Sequence, residues 1–135
     1  MKKSVVIIGA ILILISITVG AMGAHALKEI LSVKSLNSIE TAVRYQMYMG
    51  IAILSLGMNY HKFRKRSFNY FYLFILIGSI LFSFSIYGLI WADYSSLFSL
   101  KKVIGPITPL GGTLMIIGWS IFIVQLLQKK DEDPQ

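Results

Sequence analysis

Apolar positions gather into four long runs, near residues 4–24, 38–60, 68–91 and 109–127, separated by short polar tracts. As a helix the first run would rise ~31 Å, which matches a hydrocarbon core of roughly 30 Å. The second opens on Asn37-Ser38-Ile39-Glu40, which predicts Asn37 as a helix cap with Glu40 reaching back as in a capping box. The third is uninterrupted and carries Tyr70, Tyr72 and Trp91 near its ends, where amphipathic rings favour the headgroup level. The fourth starts at Pro109, with Thr108 as cap and Gly105-Pro106 left in the connection before it. Between the first two runs, Leu27, Ile30 and Leu31 have helical spacing. That spacing predicts a short helix over 26–34 lying on the outer interface, with an ordinary polar loop as the alternative.

Composition narrows this to one membrane domain over residues 1–135. The chain is 56% hydrophobic and 14% charged, too apolar for an ordinary soluble domain and too short for two domains. The expected fold is all-α: an integral membrane protein forming a compact antiparallel bundle of four transmembrane helices. A net charge of +7 would suit nucleic acid, but the basic residues sit between and beyond the apolar runs, so they set topology instead and no nucleic-acid partner is expected. Lys2, Lys3, Lys62, Arg64, Lys65, Arg66, Lys129 and Lys130 fall on one side, against Lys28, Lys34, Lys101 and Lys102 on the other. Both termini are therefore expected in the cytoplasm, with the acidic tail Asp131-Glu132-Asp133 as a solvated end. The first run also resembles a cleavable signal peptide, with Ala21 and Gly23 as the small residues of a cleavage site. There is no cysteine, which removes disulfides and thiolate metal sites and leaves the redox compartment unread.

Lipid gives helices no hydrophobic reason to associate, so small residues mark the expected contacts. These are Ser16, Gly20, Gly23 and Ala24 on the first helix, Gly50 and Gly57 on the second, Ser79 and Ser83 on the third, and Gly111, Gly112 and Gly118 on the fourth. No convincing internal repeat stands out, although an in-out-in-out path permits two similar hairpins.

Ionisable groups at membrane depth are costly and are functional candidates by default. Arg44 is the main one, beside Tyr45, Gln46 and Tyr48; His25, Asp93 and Thr108 end or open the other helices on the same outer side. One reading is an outward-facing pocket in which Arg44 binds an anion or headgroup and His25 titrates near neutral pH. The other, preferred, is structural: Arg44 pairs with Glu40, one turn earlier, or with Asp93, and the tyrosines anchor the interface.

Other chemistry finds little support in the pattern. His25 and His61 lie on opposite sides of the expected bilayer, too far apart to share a metal, and no serine, histidine and carboxylate set has a recognisable motif. No cofactor, metal or catalytic residue is expected. The tract His61-Lys62-Phe63-Arg64-Lys65-Arg66 has the charge to attract anionic lipid, but the preferred reading is a topology determinant, since a short hairpin loop needs this charge to stay inside.

The residues resemble the domain of unknown function 423 family, the YgdD-like small bacterial membrane proteins. The likeness rests on Gly20-Ala21-Met22-Gly23-Ala24-His25, Tyr45-Gln46, Gly78 with Leu81-Phe82-Ser83 and Ser85-Ile86-Tyr87, Thr108-Pro109-Leu110-Gly111-Gly112, and Gly118-Trp119. It implies a four-helix inner-membrane protein of unestablished role, and a retained first helix, since the Gly-Ala-His stretch lies at the supposed cleavage site. Two positions depart from the family pattern: Met49 stands where histidine is frequent, and Phe84 where glycine is. Met49 cannot titrate, which weighs against a paired-histidine mechanism, and Phe84 adds bulk to a serine-rich surface. The leading expectation is a non-enzymatic accessory or interaction component that meets a membrane-protein partner or a second copy of the chain. A small homo-oligomeric transporter or channel is the alternative, and lipid chemistry at the outer cluster the third.

Overall fold

The computed structural model describes residues 1–129; Lys130 and the acidic tail lie outside the described residues. Every element is helical: α1 (Lys3–Ala24), α2 (Val33–Met58), α3 (Lys65–Tyr94), α4 (Phe98–Ile104) and α5 (Ile107–Lys129), with single 3-10 turns at Ala26–Glu29 and Tyr60–Lys62. Three stretches are long and apolar enough to cross a membrane: Lys3–Glu29, Lys65–Tyr94 and Ser99–Gln128. At 26 residues α2 is as long, but its first half carries Lys34, Glu40 and Arg44.

Several element ends differ from the sequence expectation. Helix α2 begins at Val33, because Ser32 is its cap and the Ser32 hydroxyl accepts from the Ser35 N–H at 3.2 Å. Asn37 and Glu40 are therefore inside the helix, and no capping box forms there. The expected interfacial helix shrinks to one 3-10 turn, its last residues having joined α2. Ahead of the fourth apolar run stands α4, which no periodicity announced. Helix α5 starts at Ile107, so Thr108 is not its cap and Pro109 sits in the first turn, where a missing N–H costs nothing.

The chain forms two antiparallel pairs, α1 with α2 and α3 with α5, joined mainly where α2 packs on α3. Each pair is a close approach of backbones. A methyl built on Gly9 would stand 2.6 Å from the backbone nitrogen of Leu54, and one on Gly50 would stand 2.9 Å from the Ile13 side chain and 3.1 Å from the Gly9 carbonyl oxygen. In the second pair a methyl on Gly78 would stand 2.7 Å from the nitrogen of Met115, and one on Gly111 2.4 Å from that of Phe82. Gly57 and Gly118 make similar contacts with Val6 and Ile75. Of the expected packing glycines, then, Gly50, Gly57, Gly111 and Gly118 are at the crossings. Gly23 and Gly112 have room, their nearest neighbours being side chains at 3.4 and 3.8 Å, while Gly20 is tight only against a side chain, Val43 at 3.3 Å. Gly9 and Gly78 complete the set.

The interior is unevenly filled. At the basic end Phe68 and Phe71 are fully buried among Tyr72, Ile75, Val5 and Ile53, with Phe63 and Phe122 packed against them. Phe63, Phe71 and Phe122 lie 5.0 to 5.9 Å apart, in tilted and edge-to-face arrangements suited to aromatic quadrupoles. The N-terminus is tied to this end by the Lys2 N–H, which donates to the Gly57 carbonyl at 2.8 Å. Phe84 faces outward, 44% exposed and edge-on to Tyr87, and so does not crowd the serine-lined interface.

Gly111→Ala should destabilise the bundle in detergent by about 1–3 kcal/mol, the usual cost of overpacking, while Gly112→Ala one residue away leaves it unchanged. Thermal unfolding followed by size-exclusion retention of the two variants checks this; equal stabilities would remove the backbone-contact account of the α3–α5 pair.

Candidate functional site

Polar side chains that enter the bundle mostly bond to main-chain carbonyls of a neighbouring helix. Ser16 Oγ donates to the Val43 carbonyl at 2.6 Å, joining α1 to α2, and Ser83 Oγ donates to the Ala42 carbonyl at 3.2 Å, joining α3 to α2. Gln46 is fully buried between them. Its Nε2 donates to the Leu12 carbonyl at 3.1 Å and its Oε1 accepts from the Tyr87 hydroxyl at 3.0 Å, so one amide links three helices. Ser85 Oγ and Thr108 Oγ1 share a bond of 2.7 Å between α3 and α5. Among the described residues, Ser79 Oγ is the buried side-chain oxygen left without a partner.

The eight residues singled out at the outer side do not meet in one pocket. Arg44 pairs with Glu40 through Nη2 and Oε1 at 2.7 Å, on an exposed face of α2, as one turn of helix dictates. His25 caps the end of α1 and is exposed. Tyr45 and Tyr48 are half exposed, with the Tyr45 ring 5.0 Å from Phe82. Gln46 points the other way, into the core. Asp93 and Thr108 line one described cavity, to which the other six do not contribute.

That cavity, of about 850 Å³, lies at the end of the bundle opposite the basic turn. Its walls are the first turns of α2, the last turns of α3, and the α4–α5 junction. Asn37, Ser38 and Thr41 line it from α2, and Gly105 and Thr108 from the junction; Ile86, Leu89 and Ile90 form an apolar side. The charged groups on it are Lys34, Lys101 and Asp93, the last two paired through Nζ and Oδ1. The turn that carries the chain from α3 into α4 includes Ser96 at φ 56°, a left-handed conformation. No single residue in the sequence announces this site. Its α2 wall depends on the helix starting five residues earlier than the Asn37 cap implied, and its other wall on an unannounced helix.

The aromatic core fills the bundle at the basic end, away from the cavity. Met49, at the position where histidine is frequent in the family pattern, accepts from the Trp119 indole N–H at 3.5 Å and packs beside the core. Among the described residues there is no group of three or more His, Asp and Glu side chains able to hold a metal ion.

Replacing Gln46 with Leu strands the Tyr87 hydroxyl and should cost about 1–2 kcal/mol in detergent, and adding Tyr87→Phe should recover part of that loss. Ser79→Ala, which removes an unbonded buried hydroxyl, should be neutral or stabilising. Thermal unfolding of the set checks both, and an unrecovered double variant would sink the Gln46–Tyr87 coupling.

The family model described as "Protein of unknown function (DUF423)" matches residues 19–112, from the end of α1 into α5. Relatives named UPF0382 membrane proteins match over most of their length. One from Staphylococcus saprophyticus is 34% identical over 90% of this chain and 95% of its own. One from Haemophilus influenzae is 40% identical over 76% of this chain and 77% of its own. A third, from the yeast Schizosaccharomyces pombe, is 34% identical over 82% and 91%. No solved structure matches. Four long helices, three of them apolar enough to span a membrane, together with these matches over most of the chain, establish that it belongs to the DUF423 family of membrane proteins.

Proposed function

We propose that this protein is a non-enzymatic component of the bacterial cytoplasmic membrane, with both termini inside, whose outer cavity receives the polar headgroup of a membrane lipid. The observation that carries the reading is the cavity itself. It stands at the end of the bundle where lipid headgroups lie, offers both signs of charge through Lys34, Lys101 and Asp93, and backs them with Ile86, Leu89 and Ile90. A zwitterionic or phosphate-bearing headgroup followed by the start of an acyl chain fits that sequence of polar and apolar walls.

Support for the non-enzymatic part comes from where the hydroxyls point. Ser16 and Ser83 donate to carbonyls and Ser85 is bonded to Thr108, so none of the three stands beside a histidine that would activate it. The excess of Lys and Arg at the end formed by Lys2 and the α2–α3 turn supports the inside orientation. Bacterial relatives support the cytoplasmic membrane as the location. A membrane-protein partner or a second copy of the chain would then meet the lipid-facing surface, leaving the cavity free.

A transport reading rests on one feature, the interrupted helix that forms one wall, because discontinuous helices commonly frame substrate sites in transporters. Binding and transport separate in vesicles, since only transport moves a solute across.

Native mass spectrometry of the full chain released from nanodiscs should show a retained phospholipid. In a variant with Asp93→Asn and Lys101→Gln, which keeps the shape and removes the paired charge, occupancy should fall at least severalfold. Equal retention by both proteins would overturn the headgroup reading.

A further inference from the structure

The glycine contacts of the two helix pairs match position for position. One shift along the chain carries Gly9 to Gly78, Ile13 to Phe82 and Val6 to Ile75; a second carries Gly50 to Gly111, Leu54 to Met115 and Gly57 to Gly118. Under these shifts every main crossing contact of the first pair has its counterpart in the second. Gly9 meets Leu54 N and Gly50 O at 2.6 and 2.8 Å; Gly78 meets Met115 N and Gly111 O at 2.7 and 2.8 Å. Gly57 meets Val6 N at 2.9 Å, and Gly118 meets Ile75 N at 2.9 Å. The sequence follows the same register: residues 8–17 read IGAILILISI and residues 77–86 read IGSILFSFSI, identical at 6 of 10 positions. The two pairs also run the same way, because Lys2 at the start of α1 bonds Asn69 near the start of α3.

Towards the outer end the copies part company. Val43 on α2 still corresponds to Ile104 on α4, but the facing helix has slipped by one residue: a methyl on Gly20 would stand 3.3 Å from Val43, whereas Ile104 is met at 3.4 Å by a methyl on Gly88, one position before Leu89, the counterpart of Gly20. Helix α4 is thus the counterpart of α2's early turns. In the first copy α2 passes unbroken through Arg44-Tyr45. At the same place the second copy has Gly105-Pro106, where Pro106 has no N–H for the Lys102 carbonyl and its ring conflicts with that oxygen. The helix is interrupted there, and Lys101, Gly105 and Thr108 around the interruption all line the cavity.

We infer that the chain is two copies of one membrane hairpin, and that the outer cavity is a ligand site opened by the loss of symmetry at Gly105-Pro106. The site lies on the seam, with α2 of the first copy as one wall and α3, α4 and α5 of the second as the others. The occupant is the headgroup argued above, and that identity rests on the earlier reading. The opening itself does not. Restoring a continuous hydrogen-bond ladder through α4 and α5, as in the first copy, is expected to close the site.

The absence of native cysteine makes the test clean. Single variants Thr108→Cys, in the cavity wall, and Gln46→Cys, in the core, are treated in whole membranes open on both sides with a charged, water-soluble maleimide. Thr108→Cys is expected to label and Gln46→Cys to remain unlabelled. Adding Gly105→Ala and Pro106→Ala should reduce labelling at Thr108→Cys to the Gln46→Cys level. Full labelling after straightening, or none before it, overturns the proposal. If the double alanine lowers the yield of folded protein, Pro106→Ala alone, scored as the labelled fraction of folded protein, decides in the same way. The two-copy part has its own check: Gly9→Ala and Gly78→Ala should lower the apparent Tm alike, and tolerance of one with loss of the other overturns the equivalence. Labelling that responds to straightening in a protein that retains no lipid removes the headgroup reading and leaves this one standing.

Discussion

The close approach of helix backbones at six glycines is the constraint from which the rest of the structure follows. In lipid, two helices gain nothing by hiding apolar side chains from an apolar solvent, so they associate through packing contacts and interhelical hydrogen bonds. Gly9, Gly50 and Gly57 allow this between α1 and α2, and Gly78, Gly111 and Gly118 between α3 and α5. The close approach brings a short side chain within reach of a facing main-chain carbonyl, which is how Ser16 can bond Val43. Where α2 meets α3 there is no glycine crossing of this kind, and the contact is made by Ser83 with Ala42 and by Gln46 with Tyr87. Tight pairs joined by a polar seam are the result.

Polar groups are distributed in keeping with their cost. Inside the bundle they are small and neutral and nearly all bonded, Ser79 being the described exception. Charges stay near the ends or neutralise one another, as Arg44 does with Glu40 in the first half of α2. The aromatic core closes the basic end, and at the opposite end the helices separate around a space of about 850 Å³. The filling is thus uneven, tight at the basic end and open at the other.

The four long helices and the basic turn between the second and third could be read from the chain because each depends on local hydropathy and charge. Helix ends were less legible. Ser32 rather than Asn37 caps α2, since either residue has the chemistry and only the path of the chain after α1 selects one. The Arg44–Glu40 pair was readable because one helical turn sets it, whereas the cavity was not, being lined by residues from distant parts of the chain. The similarity of the two hairpins was hidden for a different reason. Identities among isoleucine, leucine and glycine carry little weight in a membrane protein, and the matching glycines are separated by different lengths of chain in the two copies. They become informative only when their contacts are compared.

By itself the sequence determined that this is a helical membrane protein with most of its basic residues at one end, since the transfer of each residue between water and lipid depends on its own chemistry. It also contained the family resemblance, carried by residues spread from α1 to α5. Tertiary structure decided which glycines are contacts and which are spacers, sent Gln46 inward and Arg44 outward, and placed Asp93 and Thr108 on one cavity without the other six residues of the expected cluster. Those outcomes depend on which face of each helix meets a neighbour. Hydropathy that is high all round a helix does not encode that choice, and the close contacts between backbones do.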